Sequence, residues 1–133
     1  MPFTRRATAA ALTITGLAAA LLPATAQAAP RSGPQTPSVL LLSTEQPGDH
    51  RSAVLVCEPA GGTHPDAADA CHAVAHVNGD LSALAFDEGP CTFEYAPVTA
   101  HAWGFWQDRP VAWSKTYSNR CLLLRGTRAL FDF

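Results

Sequence analysis

The chain has 133 residues, with nine Lys and Arg against eleven Asp and Glu and a formal net charge of −2. That balance leaves no basic stripe to neutralise phosphates, which argues against nucleic acid as a partner. Four cysteines and 47% apolar residues suit one small exported domain with a modest core.

In chain order, residues 1–28 come first. They open with Arg5-Arg6 and continue as an apolar run of about 16 residues before Pro23, short of the roughly 20 a membrane span needs. Ala26-Gln27-Ala28 is a small-x-small cleavage signal, so this segment is predicted to be a secretory signal peptide cut after Ala28. The mature protein is then secreted and extracellular, with no membrane partner. Residues 29–37, "APRSGPQTP", predict a disordered lead-in, and the folded domain is expected over 38–133.

Two β-rich runs follow, "SVLLLS" (38–43) and "SAVLVCE" (52–58), joined by the turn-like "TEQPGDH". "PAGGTHP" is a loop leading into a helix over 66–77. Thr63 and Asp66 resemble a capping box, and Pro65 suits the first turn. Ala67, Ala70, Cys71, Val74 and Val77 share one face of that helix, and Asn78-Gly79 ends it. "DLSALA" (80–85) reads as a second short helix. The last third reads as β: 92–106, a turn at "QDRP", 111–118, then "CLLLRGTRALFDF" (121–133). The fold class is α+β, with one antiparallel sheet of about five strands and the helices on one face. Within it, Thr92-Phe93-Glu94-Tyr95 alternates as a half-buried strand does, with Phe93 and Tyr95 toward the core. Its flanks, Pro90, Cys91 and Pro97, belong instead to an exposed loop held still.

Cys57, Cys71, Cys91 and Cys121 all lie in the mature part and predict two disulfides, with three pairings open. No pair has CxxC spacing, so zinc is disfavoured. His72, His76 and Asp69 share a helix face, but that face lies opposite the apolar stripe, and Ala73 stands where a zinc peptidase needs glutamate. His64 and His101 lack an obvious nucleophile, and Ser114 and Ser118 have no glycine-flanked elbow. No catalytic residue, metal or cofactor is predicted, and the chain does not read as an enzyme.

The long-range pattern is more specific. Cys57-x-Pro59, Gly62-Thr63-His64-Pro65, Cys71 and Gly79-Asp80-Leu81-Ser82-Ala83-Leu84 resemble the Streptomyces subtilisin inhibitor family. "CTFEYAPVT", "GFWQDRPVAW", "YSNRC" and the terminal "ALFDF" are similar to further signatures of that family, so the resemblance runs from about Ser38 to Phe133. It implies a five-stranded antiparallel sheet with two helices, a homodimer formed through the sheet, and disulfides Cys57–Cys71 and Cys91–Cys121. It also implies a reactive bond Phe93–Glu94, with Phe93 as the P1 residue and Glu94 as P1′. Cys91, Thr92 and Tyr95 are then loop contacts, and Asn119 is placed to brace the loop. The implied partners are extracellular serine proteases of subtilisin-like and chymotrypsin-like type. A non-inhibitory binding module on the same scaffold, for example a transglutaminase partner, is the alternative. One further expectation comes from composition. Trp103, Phe105, Trp106, Trp113, Leu122, Leu123, Leu124, Leu130 and Phe131 exceed what one helix-covered sheet face can bury, so some of them should form an apolar patch on the other face.

Overall fold

The computed structural model describes residues 36–133; the predicted signal peptide and residues 29–35 of the lead-in lie outside the described residues. Strands β1 (Ser38–Gln46) and β2 (Asp49–Cys57) form a hairpin around Pro47-Gly48. Gly48 sits at φ +82, where a side chain is disfavoured, so the chain reverses in two residues. Both strands therefore extend into the segment expected as turn, with Thr44 opposite Arg51 and Gln46 opposite Asp49.

β3 (Gly61–Gly62), α1 (Ala67–His76), β4 (Val98–Trp106), β5 (Arg109–Tyr117) and α2 (Arg120–Thr127) complete the fold. The sheet is antiparallel, in the order β3-β2-β1-β4-β5. The β4–β5 turn falls on Gln107 and Asp108, at φ 46 and 67, within the predicted "QDRP". Positive φ at both central residues matches the twist of a hairpin.

Strand alternation divides the sheet into two faces. Leu40 and Leu42 of β1, Leu55 of β2, and Val98, Ala100 and Ala102 of β4 are buried on one of them. Ala70 and Val74 of α1, Leu123 of α2, and Leu130 and Phe131 beyond it join the same core. Both helices thus lie on one face, as expected. The opposite face carries Val39, Leu41, Trp103 and Phe105 exposed. Register sets Val39 opposite Phe105 and Leu41 opposite Trp103, which makes these four one continuous apolar patch.

The C-terminal expectation needs correction. Residues 121–133 do not form a strand; they form α2, followed by a 3-10 turn over Arg128–Phe131. Asn119 is the N-cap, its side-chain oxygen accepting from the Leu122 N–H at 2.9 Å. Leu123, Gly126, Thr127, Leu130 and Phe131 are the buried set, at helical rather than alternating spacing. A glycine and a threonine within that stripe hid the period from the sequence. The fifth strand is β3 instead, inside "PAGGTHP", pairing with Leu55 and Val56.

Smaller corrections concern helix ends. "DLSALA" forms only a 3-10 turn, Leu81–Ala83, with the Asp80 carboxylate accepting from the Ser82 N–H. α1 spans most of its predicted range, and Ala70, Ala73 and Val74 are buried. Asn78 and Gly79 end it at φ 52 and 82. The capping box is absent because its hydroxyl is used elsewhere: Thr63 Oγ1 accepts from the Val54 N–H at 2.8 Å. His64 serves this turn. Its Nδ1 accepts the Asp66 N–H at 3.0 Å, so the proton lies on Nε2, which donates to the Leu130 carbonyl at 3.1 Å.

The two disulfides are Cys57–Cys71 and Cys91–Cys121, which settles the pairing that spacing left open. The first ties the end of β2 to α1. The second ties an irregular segment to α2, rather than to a strand.

Candidate functional site

That irregular segment, residues 84–97, connects the 3-10 turn to β4 with no regular structure of its own. A connection this long inside a small domain calls for a function. The strand expected over 92–106 begins only at Val98, and Thr92 to Tyr95 belong to the loop. Phe93 is 103% exposed and Tyr95 81% exposed, so neither contributes to the core. Leaving an aromatic ring wholly in water forgoes its burial energy, which selects this position as a contact surface.

The loop is exposed but tethered. Beneath it lies Asn119, only 2% exposed. Its Nδ2 donates to the Thr92 carbonyl at 3.0 Å and to the Glu94 carbonyl at 3.1 Å. Its Oδ1 simultaneously caps α2. One amide therefore fixes both carbonyls that flank Phe93, and the helix cap fixes the amide. The Ala96 N–H donates to the Ser118 carbonyl at 2.9 Å, continuing the attachment downstream. On the upstream side, Cys91 is bonded to Cys121 in the first turn of α2. Thr92 Oγ1 donates to Glu94 Oε1 at 3.1 Å, a bridge that spans Phe93 on the solvent side.

The structure therefore brings together Cys91, Thr92, Phe93, Glu94, Tyr95, Asn119 and Cys121. Cys57 and Cys71 stand apart, at the α1–β2 contact. Two contributors escaped sequence reasoning. Arg125 of α2 reaches Asp87 of the loop at 3.0 Å, and the Asp87 N–H donates to the Arg125 carbonyl at 2.8 Å. The only signal was the spacing of Cys121 and Arg125, four apart and so on one helix face, which is invisible while that segment reads as a strand. Against the other flank of α2, Tyr117 packs beside Gly126, and burial raises its phenol above the ordinary value.

Electrostatically the loop is acidic. Asp87, Glu88 and Glu94 lie on it, and Arg125 pairs with Asp87. His72 and His76 are exposed on α1. His101 faces Ser43 and Ser114 across the sheet and lies 3.8 Å from Glu45, yet neither serine hydrogen-bonds it among the described residues.

A family profile described as subtilisin inhibitor-like matches residues 36–119. A subtilase-type protease inhibitor of Streptomyces fradiae is 37% identical over 136 aligned residues, covering 90% of this chain and 96% of its own. A subtilisin inhibitor of Streptomyces violaceus is 37% identical over 123, covering 82% and 84%. Among solved structures, sermetstatin of Streptomyces caespitosus, in complex with Bacillus licheniformis subtilisin, superposes with a TM-score of 0.62 at 31% identity. That match covers 74% of this chain and all of sermetstatin. A five-stranded sheet, two disulfides, a tethered aromatic loop and these matches lead to one conclusion: the chain belongs to the subtilisin inhibitor-like family.

Proposed function

We propose that the protein is a secreted, substrate-like inhibitor of serine proteases that presents the Phe93–Glu94 bond to the enzyme. The observation that carries this reading is the full exposure of Phe93 between two carbonyls held by the buried Asn119. A flexible peptide loses ordering entropy when it binds and departs once cut. A loop already tethered at Cys91, Thr92, Glu94 and Ala96 loses little, so tight binding costs less. The segment adds to the protease as a β-strand would, with Thr92 before the bond and Tyr95 after it contributing contacts.

Phe93 enters the primary specificity pocket. Burying its ring, about 150–200 Å², is worth roughly 4 to 5 kcal/mol at about 25 cal/mol per Å². Subtilisin-like and chymotrypsin-like enzymes have apolar pockets that accept it; trypsin needs a cation opposite its aspartate. When the bond is cut, the disulfide on one side and the Asn119 and Ser118 hydrogen bonds on the other keep the new ends adjacent. Religation then competes with release.

The protein also works as a homodimer, joined through the open face bearing Val39, Leu41, Trp103 and Phe105. A patch of this kind exceeds what scattered surface residues explain, and a two-fold contact buries it with one self-complementary surface.

Titration of the secreted protein against subtilisin, chymotrypsin and trypsin tests the proposal. Strong inhibition of the first two and weak inhibition of trypsin is expected. Phe93→Lys is expected to gain trypsin inhibition. Equal trypsin inhibition by both forms would move the contact residue elsewhere.

A further inference from the structure

We propose that Arg125 is a positioning residue that clamps the upstream flank of the binding loop, residues 87–90, onto α2. This rests on the inhibitor reading above and extends it to a part of the loop several residues away from Phe93.

Four observations converge on Arg125. Its Nη1 donates to Asp87 Oδ2 at 3.0 Å. Its Nη2 makes a longer contact, 3.5 Å, to the Pro90 carbonyl. Its own carbonyl accepts the Asp87 N–H at 2.8 Å. Gly89 lies over the guanidinium so closely that a Cβ there would come within 2.5–2.6 Å of its carbon and both terminal nitrogens. The side chain and the backbone of one residue thus hold the loop at two ends of a four-residue stretch.

The arrangement is reciprocal. Carbonyls in the last turn of a helix lack partners within the helix, and Asp87 supplies one for Arg125. A guanidinium in that turn also complements the negative end of the helix. Its planar fork spans a carboxylate and a carbonyl together, which a lysine cannot do. α2 therefore meets the loop at three places: Asn119 beneath Phe93, Cys121 at the disulfide, and Arg125 beneath residues 87–90. With Arg125 in place, the disulfide does not carry the upstream strain of protease binding alone. Without it, residues 87–90 swing about Cys91, and Phe93 is presented less uniformly.

The test uses Arg125→Ala, Arg125→Lys, Gly89→Ala and the Arg125→Ala/Gly89→Ala double variant. Amide hydrogen exchange on the free protein reads the clamp directly. Inhibition of subtilisin and the rate of cleavage at Phe93–Glu94 read its consequence. Arg125 and Asp87 are both partly exposed, so the effect is moderate: Arg125→Ala is expected to speed Asp87 amide exchange about three- to tenfold. Exchange of β1 and β4 amides is expected to stay unchanged, while the inhibition constant and the cleavage rate rise by a similar factor. Arg125→Lys recovers part of the loss. Gly89→Ala displaces the guanidinium and so mimics Arg125→Ala, and the double variant is no worse than either single one, because both remove the same contact. Unchanged Asp87 exchange in Arg125→Ala overturns the clamp, and faster exchange with unaltered inhibition and cleavage overturns its role in binding. A wild-type protein that leaves subtilisin fully active overturns the inhibitor reading instead, and Asp87 exchange then still decides the clamp.

Discussion

The amide of Asn119 has two duties that chemistry can separate. Its oxygen caps α2, and its nitrogen holds the carbonyls on either side of Phe93. Asn119→Asp keeps an acceptor for the Leu122 N–H but replaces both donated bonds with a carboxylate oxygen facing two carbonyls. This variant is expected to keep α2 while its loop becomes a substrate. Asn119→Ala loses both functions, and the cap alone is worth about 0.5–2 kcal/mol. Urea denaturation and timed cleavage by subtilisin check this: cleavage is fast in both variants, and the stability loss for aspartate is at least as large as for alanine, because its buried carboxylate faces two carbonyls. Equal resistance of wild type and Asn119→Asp to cleavage would remove Asn119 from the loop's support. Beside this amide, the Thr92–Glu94 bridge adds a solvent-side link over the same residue. Thr92 and Glu94 therefore form a coupled pair rather than two independent contacts.

At the level of elements, α2 is the rigid body on which the loop rests. It packs into the core through Leu123 and Thr127, both fully buried, and Thr127 Oγ1 donates back to the Leu123 carbonyl at 2.8 Å. The Cys91–Cys121 bridge joins loop to helix across a sequence separation of 30. Closing a loop of that length contributes about 3 to 4 kcal/mol by chain-entropy reasoning. Replacing both cysteines with serine is expected to lower stability by about that amount. The domain then stays folded on its core and the first disulfide, and its loop is digested. Thermal melting and timed proteolysis check both outcomes. Undiminished inhibition by the double variant would show that Asn119 and Arg125 suffice to hold the loop.

For the whole molecule, the decisive feature is the two-faced sheet. One face is sealed by α1, α2 and the C-terminal turn; the other presents Trp103 and Phe105 at 60% and 58% exposure. Burying rings of this size in the proposed dimer is worth several kcal/mol per protomer, and a dimer at micromolar concentration is the expected outcome. Trp103→Glu places a charge in the middle of that contact, opposite Leu41. It is expected to yield a monomer that still inhibits, because residues 84–97 belong to a different part of the surface. Light scattering and an inhibition assay test this together. A wild-type monomer would rule out the dimer, and loss of inhibition in Trp103→Glu would tie the loop to the interface. Two enzymes bound per dimer is the stoichiometry expected.

By itself, the sequence determined whatever depends on local period and long-range signature. β1 and β2, the apolar face of α1, the β4–β5 turn and the antiparallel α+β class were legible because each is written in neighbouring residues. Tertiary structure decided the rest. The period of Thr92-Phe93-Glu94-Tyr95 suits a buried strand as well as a displayed loop; the family signature implied the loop, but what holds it, Asn119 twenty-five residues beyond Glu94 together with the Cys91–Cys121 bridge, is set by the fold. "CLLLRGTRALFDF" reads as a strand until the Asn119 cap and the burial of Gly126 and Thr127 against the sheet favour a helix. Tertiary packing overrides local propensity at such places. The contact of Arg125 with Asp87 follows from that override, since the two residues are 38 apart in the chain and meet only because the segment is helical.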